Sequence, residues 1–242
     1  MRTPRRLRAR VMILALLAWT PAASSGQAGG QDVRQEFWLD WNGSWSFRPE
    51  LDLRGQAGWR ARVGSPHRSR FVLRSLLAST DGGIEWVAGV ASFYTLTSAS
   101  DIVELRPFQG LRASWPNGQR LRVGHYFRAE ERITWRTEDG APSTALRLRY
   151  RLQSELRLTG DAAEGWRLLL FGEAFRRVLG TTLGQEESSR VGLGVERGSG
   201  RFRFRFESIW QRSERLQTLF TRDGQATDAV YFRFRVLQRL GW

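Results

Sequence analysis

Residues 146–158 read LRLRYRLQSELRL, and this alternation constrains the fold more than any other feature of the chain. Leu146, Leu148, Tyr150, Leu152, Leu156 and Leu158 share one parity, interrupted only by Ser154. Arg147, Arg149, Arg151, Gln153, Glu155 and Arg157 take the other. Successive side chains of a strand point to opposite faces, so the segment is a ribbon with one apolar and one charged side. Thirteen residues is long for a strand of a soluble domain, where about 5–6 is usual. It suits a strand crossing a bilayer at a tilt, which needs about 9–11 residues in the apolar zone.

The pattern recurs from end to end. Phe37, Leu39, Trp41, Trp45 and Phe47 alternate with Trp38, Asp40, Asn42, Ser44 and Arg48. Leu51, Leu53, Ala57, Trp59, Ala61 and Val63 alternate with Asp52, Arg54, Gln56, Gly58, Arg60 and Arg62. Leu121, Val123, Phe127 and Ala129 oppose Arg120, Arg122, Tyr126, Arg128, Glu130 and Arg132. Phe202, Phe204, Phe206 and Trp210 oppose Arg201, Arg203, Arg205 and Glu207, and Val230, Phe232, Phe234, Val236, Leu240 and Trp242 line one face of the last strand. Less regular strands fall at 69–79, 84–96, 103–115, 166–176 and 189–197, so eleven are visible, with no convincing helix. Tight connections near 48–50, 80–83, 116–118 and 198–200, and a somewhat longer one at 159–165, alternate with longer polar ones. The latter lie near 132–144, 177–188 and 212–228, with 64–68 and 97–102 intermediate. Short turns on one side and longer loops on the other mark an antiparallel up-and-down outer-membrane barrel, and bacterial single-chain barrels use an even strand number. The expectation is therefore twelve strands, with one hidden at 216–221; ten is the alternative.

The N-terminus fits export. Arg2, Arg5, Arg6, Arg8 and Arg10 precede the apolar run VMILALLAW at 11–19, and Pro21 and small residues follow. That run is too short for a spanning helix, which needs about 20 residues. Residues 1–28 read as a cleaved signal peptide and 29–242 as the barrel domain, placed in the outer membrane of a Gram-negative envelope. The chain has no cysteine, hence no disulfide framework and no thiolate metal site. All 38 of its basic side chains are arginine, a usage that fits a GC-rich genome. The formal charge of +14 falls to about +9 beyond residue 28. Because the arginines alternate with apolar residues along strands and the chain is exported, nucleic acid is not the expected partner.

Four further segments occur in a recognisable order: ELRPFQ at 104–109, RAEER at 128–132, the arginine-rich 147–157, and FGEAF at 171–175. In this the chain resembles a bacterial outer-membrane β-barrel family of unknown function (domain of unknown function 2490) over about 36–242. The resemblance implies an outer-membrane barrel and supplies no activity and no catalytic residues.

The residues themselves offer little chemistry. A lipid hydrolase on a barrel's outer face needs a histidine beside a serine, so that imidazole can take the hydroxyl proton. His67 falls in a connection, and His125 has Val123 and Phe127 where the serine would stand. No metal-ligand spacing appears, and Gly192 and Gly194 lie in a strand, where they make poor phosphate loops. The chain is thus expected to be no enzyme and to use no cofactor. What remains is the charged face, read as lining the lumen. It carries Arg54, Arg60, Arg62, Arg120, Arg122, Arg128, Arg132, Arg147, Arg149, Arg151, Arg157, Arg201, Arg203 and Arg205, against Asp52, Glu130, Glu155 and Glu207, with Glu173 joining from the strand at 166–176. Water-filled, such a lumen is a narrow anion-preferring pore for small anionic solutes. Filled, each carboxylate bridges two or three guanidiniums in a structural or interaction barrel. A lipid-modifying enzyme is the remaining alternative. Trp38, Trp41, Trp45, Trp59, Trp86, Trp115, Trp135, Trp166, Trp210 and Trp242 fall mostly near strand ends, as interfacial girdles against outer-membrane lipid would. Trp242 reads as the C-terminal signal met by the barrel-assembly machinery, with the C-terminus on the periplasmic side.

Overall fold

The computed structural model describes residues 33–64, 69–98, 100–115, 120–138, 141–159, 164–180, 186–215 and 227–240. The expected signal segment 1–28, His67, the 116–118 turn, the 216–221 segment and Trp242 lie outside these residues. Among the described residues there are eleven strands: β1 (Arg34–Arg48), β2 (Leu51–Arg62), β3 (Ser69–Asp81), β4 (Ile84–Thr95), β5 (Ile102–Trp115), β6 (Leu121–Arg136), β7 (Ser143–Arg157), β8 (Trp166–Gly180), β9 (Glu186–Ser199), β10 (Phe202–Arg215) and β11 (Thr227–Leu240).

They close into one barrel, each strand antiparallel to its sequence neighbour. The twelve-strand expectation, and the ten-strand alternative, are corrected to eleven. β10 and β11 pair directly from Phe202↔Gln238 to Ser213↔Thr227, so no strand stands between them. β11 then pairs β1 directly, from Arg34↔Ala229 to Trp45↔Leu240. Eleven up-and-down strands bring the first and last into the same direction, and this one seam is therefore parallel. Parallel ladders are slightly weaker per residue, and side chains reinforce the seam. Trp38 and Tyr231 pack with ring centroids 4.4 Å apart. Arg34 Nη2 donates to Tyr231 OH at 2.9 Å, and Arg235 Nη2 to Asn42 Oδ1 at 3.1 Å.

One rim carries the short joins, at 49–50, 82–83 and 200–201 among them. At the β3–β4 join Gly82 and Gly83 have φ of 55° and 86°, the pair of positive values that a two-residue mirror-image turn requires. The opposite rim holds the longer connections, which are shorter than the alternation implies. β6 runs on to Arg136, β8 to Gly180 and β10 to Arg215. Near that rim β10 turns polar on both faces at Gln211, Arg212 and Ser213, and β8 carries Arg176 and Arg177 in succession, so the sequence pattern fades while the backbone ladder continues. The odd strand number also places the start of β1 and the end of β11 at opposite rims.

The interior is a packed core over part of its height. One buried cluster joins Trp38, Phe171, Ile209, Ala229 and Tyr231, and another joins Val72, Ala91, Phe93 and Phe108 with Leu76 against it. Gly192 exists for this core: a Cβ there would run into the Phe171 ring, which lies against the bare backbone of β9.

Candidate functional site

The parity read from sequence holds for the lumen. Arg54, Arg60 and Arg62 of β2, Arg122, Arg128, Glu130 and Arg132 of β6, Arg147, Arg149, Arg151, Glu155 and Arg157 of β7, Glu173 of β8, and Arg203, Arg205 and Glu207 of β10 share the inward parity. Arg120 and Arg201 sit instead in the short joins at the rim. Arg120 Nε donates to the Arg157 carbonyl at 3.2 Å. The sequence reading missed a second set on the less regular strands and on the last one: Arg70 and Arg74 of β3, Glu85 of β4, Glu104, Arg106 and Arg112 of β5, Arg167 of β8, Arg190 and Glu196 of β9, and Arg233 and Arg235 of β11. The register is the signal that finds them, because it sets most of these acids directly opposite an arginine of a neighbouring strand.

Carboxylates organise the interior. Glu130 stands opposite Arg147 and accepts from it at 2.6 Å, while Arg128 Nε reaches the same carboxylate at 2.7 Å. Glu173 lies opposite both Arg151 and Arg190, at 3.0 and 3.8 Å, and also holds Arg149. Glu196 is flanked by Arg167 at 2.9 Å and Arg205, whose Nε donates at 2.7 Å. Glu207 takes Arg233 Nε at 2.6 Å, with Arg235 at 3.9 Å. Glu104 takes Arg106 at 2.6 Å and also Arg132, and Glu85 takes Arg54 and Arg112. Each acid thus bridges two or three guanidiniums. Charge-assisted hydrogen bonds of this kind offset the cost of removing both groups from water.

Many of the same guanidiniums, and Arg60, which has no ion pair among the described residues, also lie on aromatic rings. Arg60 sits 4.1 Å from the Trp38 ring centre, Arg106 3.9 Å from Phe93, Arg151 3.9 Å from Phe171 and Arg128 4.6 Å from Phe108. Arg190, Arg147 and Arg149 surround Phe175 at 4.7, 4.9 and 5.2 Å. Trp38 therefore belongs to this inner belt and not to a girdle, a correction to the sequence reading. Trp38, Phe93, Phe171 and Tyr231 of the belt are at most 3% exposed, and Phe108 and Phe175 at most 6%. An open lumen would wet them.

Toward the rim with the short joins the interior opens into a vestibule of about 920 Å³. Its walls include fifteen arginines but only three carboxylates, Asp52, Glu85 and Glu155. Trp38, Arg60, Arg74, Arg128, Arg149, Arg190 and Arg235 lie at its inner end, where it meets the belt. Along β8–β10 the dry zone reaches further toward this rim, since Leu169 and Glu196 are buried there.

On the outer face His125 Nδ1 lies 2.9 Å from Tyr150 OH. The nearest serine on that face by register, Ser154, stands opposite Val123, and no hydrogen bond joins it to His125 among the described residues. Among the same residues no cluster of His, Cys, Asp and Glu could hold a metal ion. The family described as "Protein of unknown function (DUF2490)" matches residues 35–217, which takes in nearly all of β1–β10. No curated protein and no solved structure matches the chain.

Proposed function

The chain belongs to the DUF2490 family, whose description assigns no activity, and we propose that it is a bacterial outer-membrane barrel, exported by its N-terminal signal, whose interior is a narrow anion-preferring passage. The outer face carries the membrane reading. Phe37 and Trp45, Trp86 and Tyr94, and Phe202 and Trp210 all point outward and are exposed, and each pair is separated by eight residues of one strand. Eight residues at ~3.3 Å, tilted by roughly 35–45°, span about 20 Å along the barrel axis. Two aromatic rings at that spacing suit the bilayer interfaces on either side of an apolar band of about 25 Å. Between them Leu39, Val90, Phe204 and Phe206 are also exposed. A contiguous apolar surface of this kind is foreign to soluble monomers. Glu131, exposed and opposite the Pro107 stretch of β5, is a charged exception on this face.

The vestibule carries the anion reading, because its arginines far outnumber its acids. The belt makes the passage narrow and sets the competing reading, a filled structural barrel, which the many carboxylate-centred clusters favour. The protein should fractionate with outer membrane and migrate differently on a denaturing gel before and after boiling. With the C-terminus periplasmic, a cysteine at Gln35 should be labelled from outside intact cells. In planar bilayers under a salt gradient the reversal potential should report anion preference, which Arg149→Gln with Arg151→Gln reduces. Cation preference would reject the pore, and absence of conductance would leave the filled barrel.

A further inference from the structure

We propose that the inner end of the vestibule is a binding site for a multiply charged oxyanion of the phosphate type; the inference deepens the anion reading above and rests on it. Arg74 is central. Its side chain lines the vestibule, and among the described residues it forms no ion pair, hydrogen bond or ring contact; its Nε is buried without a partner. The charges acting most strongly on it all belong to arginines: Arg128, Arg149, Arg60 and Arg235. Arg60 likewise has no ion pair among the described residues and rests only on the Trp38 and Phe93 rings. Arg235 reaches Glu207 only at 3.9 Å. Asp40 acts on Arg60 and, after Glu207, on Arg235; Glu207 is already bonded to Arg233 at 2.6 Å, so Asp40 is the one further carboxylate for three guanidiniums. Elsewhere in this interior Glu85, Glu104, Glu130, Glu173, Glu196 and Glu207 are each met by more than one guanidinium. Here Arg74 and Arg60 converge with no carboxylate bonded to them, at the closed end of a cavity open to the rim.

Buried charge is stable only when paired. A halide brings one charge and no geometry. An oxyanion with two or more charges satisfies several guanidinium forks at once through bidentate bonds. The vestibule of about 920 Å³ leaves room for whatever the charged group is attached to, so an organic phosphate fits as well as a free one.

The test uses the folded full-length barrel in detergent, with inorganic pyrophosphate as probe and chloride at equal ionic strength as control. Pyrophosphate should bind saturably by calorimetry. Arg74→Gln and Arg60→Gln should each weaken it roughly tenfold to a hundredfold, the worth of one charged hydrogen-bond partner. Arg120→Gln at the rim should leave it unchanged. Equal affinity in all three variants, or no saturable binding, overturns the proposal. Where either variant fails to fold, the unsubstituted protein carries the test: pyrophosphate, and not chloride, should protect Arg74 and Arg60 from phenylglyoxal in peptide mass analysis. Equal modification with and without pyrophosphate overturns it too. Binding without conductance keeps the site and rejects the pore; anion-selective conductance without pyrophosphate binding keeps the pore and rejects the site. Comparing pyrophosphate with a sugar phosphate and with lipid-headgroup phosphate then tells free from attached phosphate.

Discussion

Glu130 and Asp52 are both interior carboxylates held by arginine, yet the Glu130 side chain is 0% exposed and that of Asp52 is 27% exposed. Around Glu130 lie Phe108, Phe175 and the guanidiniums stacked on them. Around Asp52 lie Ser46, Arg54 and the open vestibule. The two regions use the same ion-pair chemistry, so the difference in wetness comes from aromatic side chains turned inward on β1, β4, β5, β8 and β11. In the dry belt a charge has only its partner. In the vestibule water, or a solute anion, can take the partner's place.

Removing a partner should therefore matter very differently in the two regions. Glu130→Ala leaves Arg128 and Arg147 buried and uncompensated and should cost about 3–5 kcal/mol, measured by urea unfolding of the barrel in micelles. A cost below about 1 kcal/mol would mean that water reaches the belt. Gly192→Val should be next, at about 1–3 kcal/mol, because its side chain must displace the Phe171 ring. An unchanged transition midpoint would show that the belt is loosely packed there. Asp52→Asn should have the smallest effect, under about 1 kcal/mol, since its ion pair is half wet. A larger loss would make the vestibule wall as dry as the belt.

Much of this was legible in residues 146–158, where the outward Leu148 and Leu152 and inward Arg149 and Arg151 alternate without ambiguity. β4 and β8 were harder for a physical reason. Inward Val87, Ala91 and Phe93, and inward Leu169, Phe171 and Phe175, are as apolar as the outward residues beside them, so the belt erases the alternation that identifies a strand's faces. The strand count failed differently. Evenness is a habit of bacterial barrels, and nothing local in β1 or β11 announces a parallel seam. The clusters around Glu173 and Glu196 needed the register, which brings to each acid arginines from the two strands that flank it.

The division of the interior into a dry belt and a wet vestibule is open to direct measurement, because the chain has no cysteine of its own. Single cysteines at Ser114, which lines the vestibule, and at Ala91, buried in the belt, should be treated with a small water-soluble thiol reagent in the folded barrel. Ser114→Cys should react at least about tenfold faster than Ala91→Cys, since only water-exposed thiolate reacts readily. Equal rates at the two positions would show that Ala91 is as wet as the vestibule wall and contradict the belt.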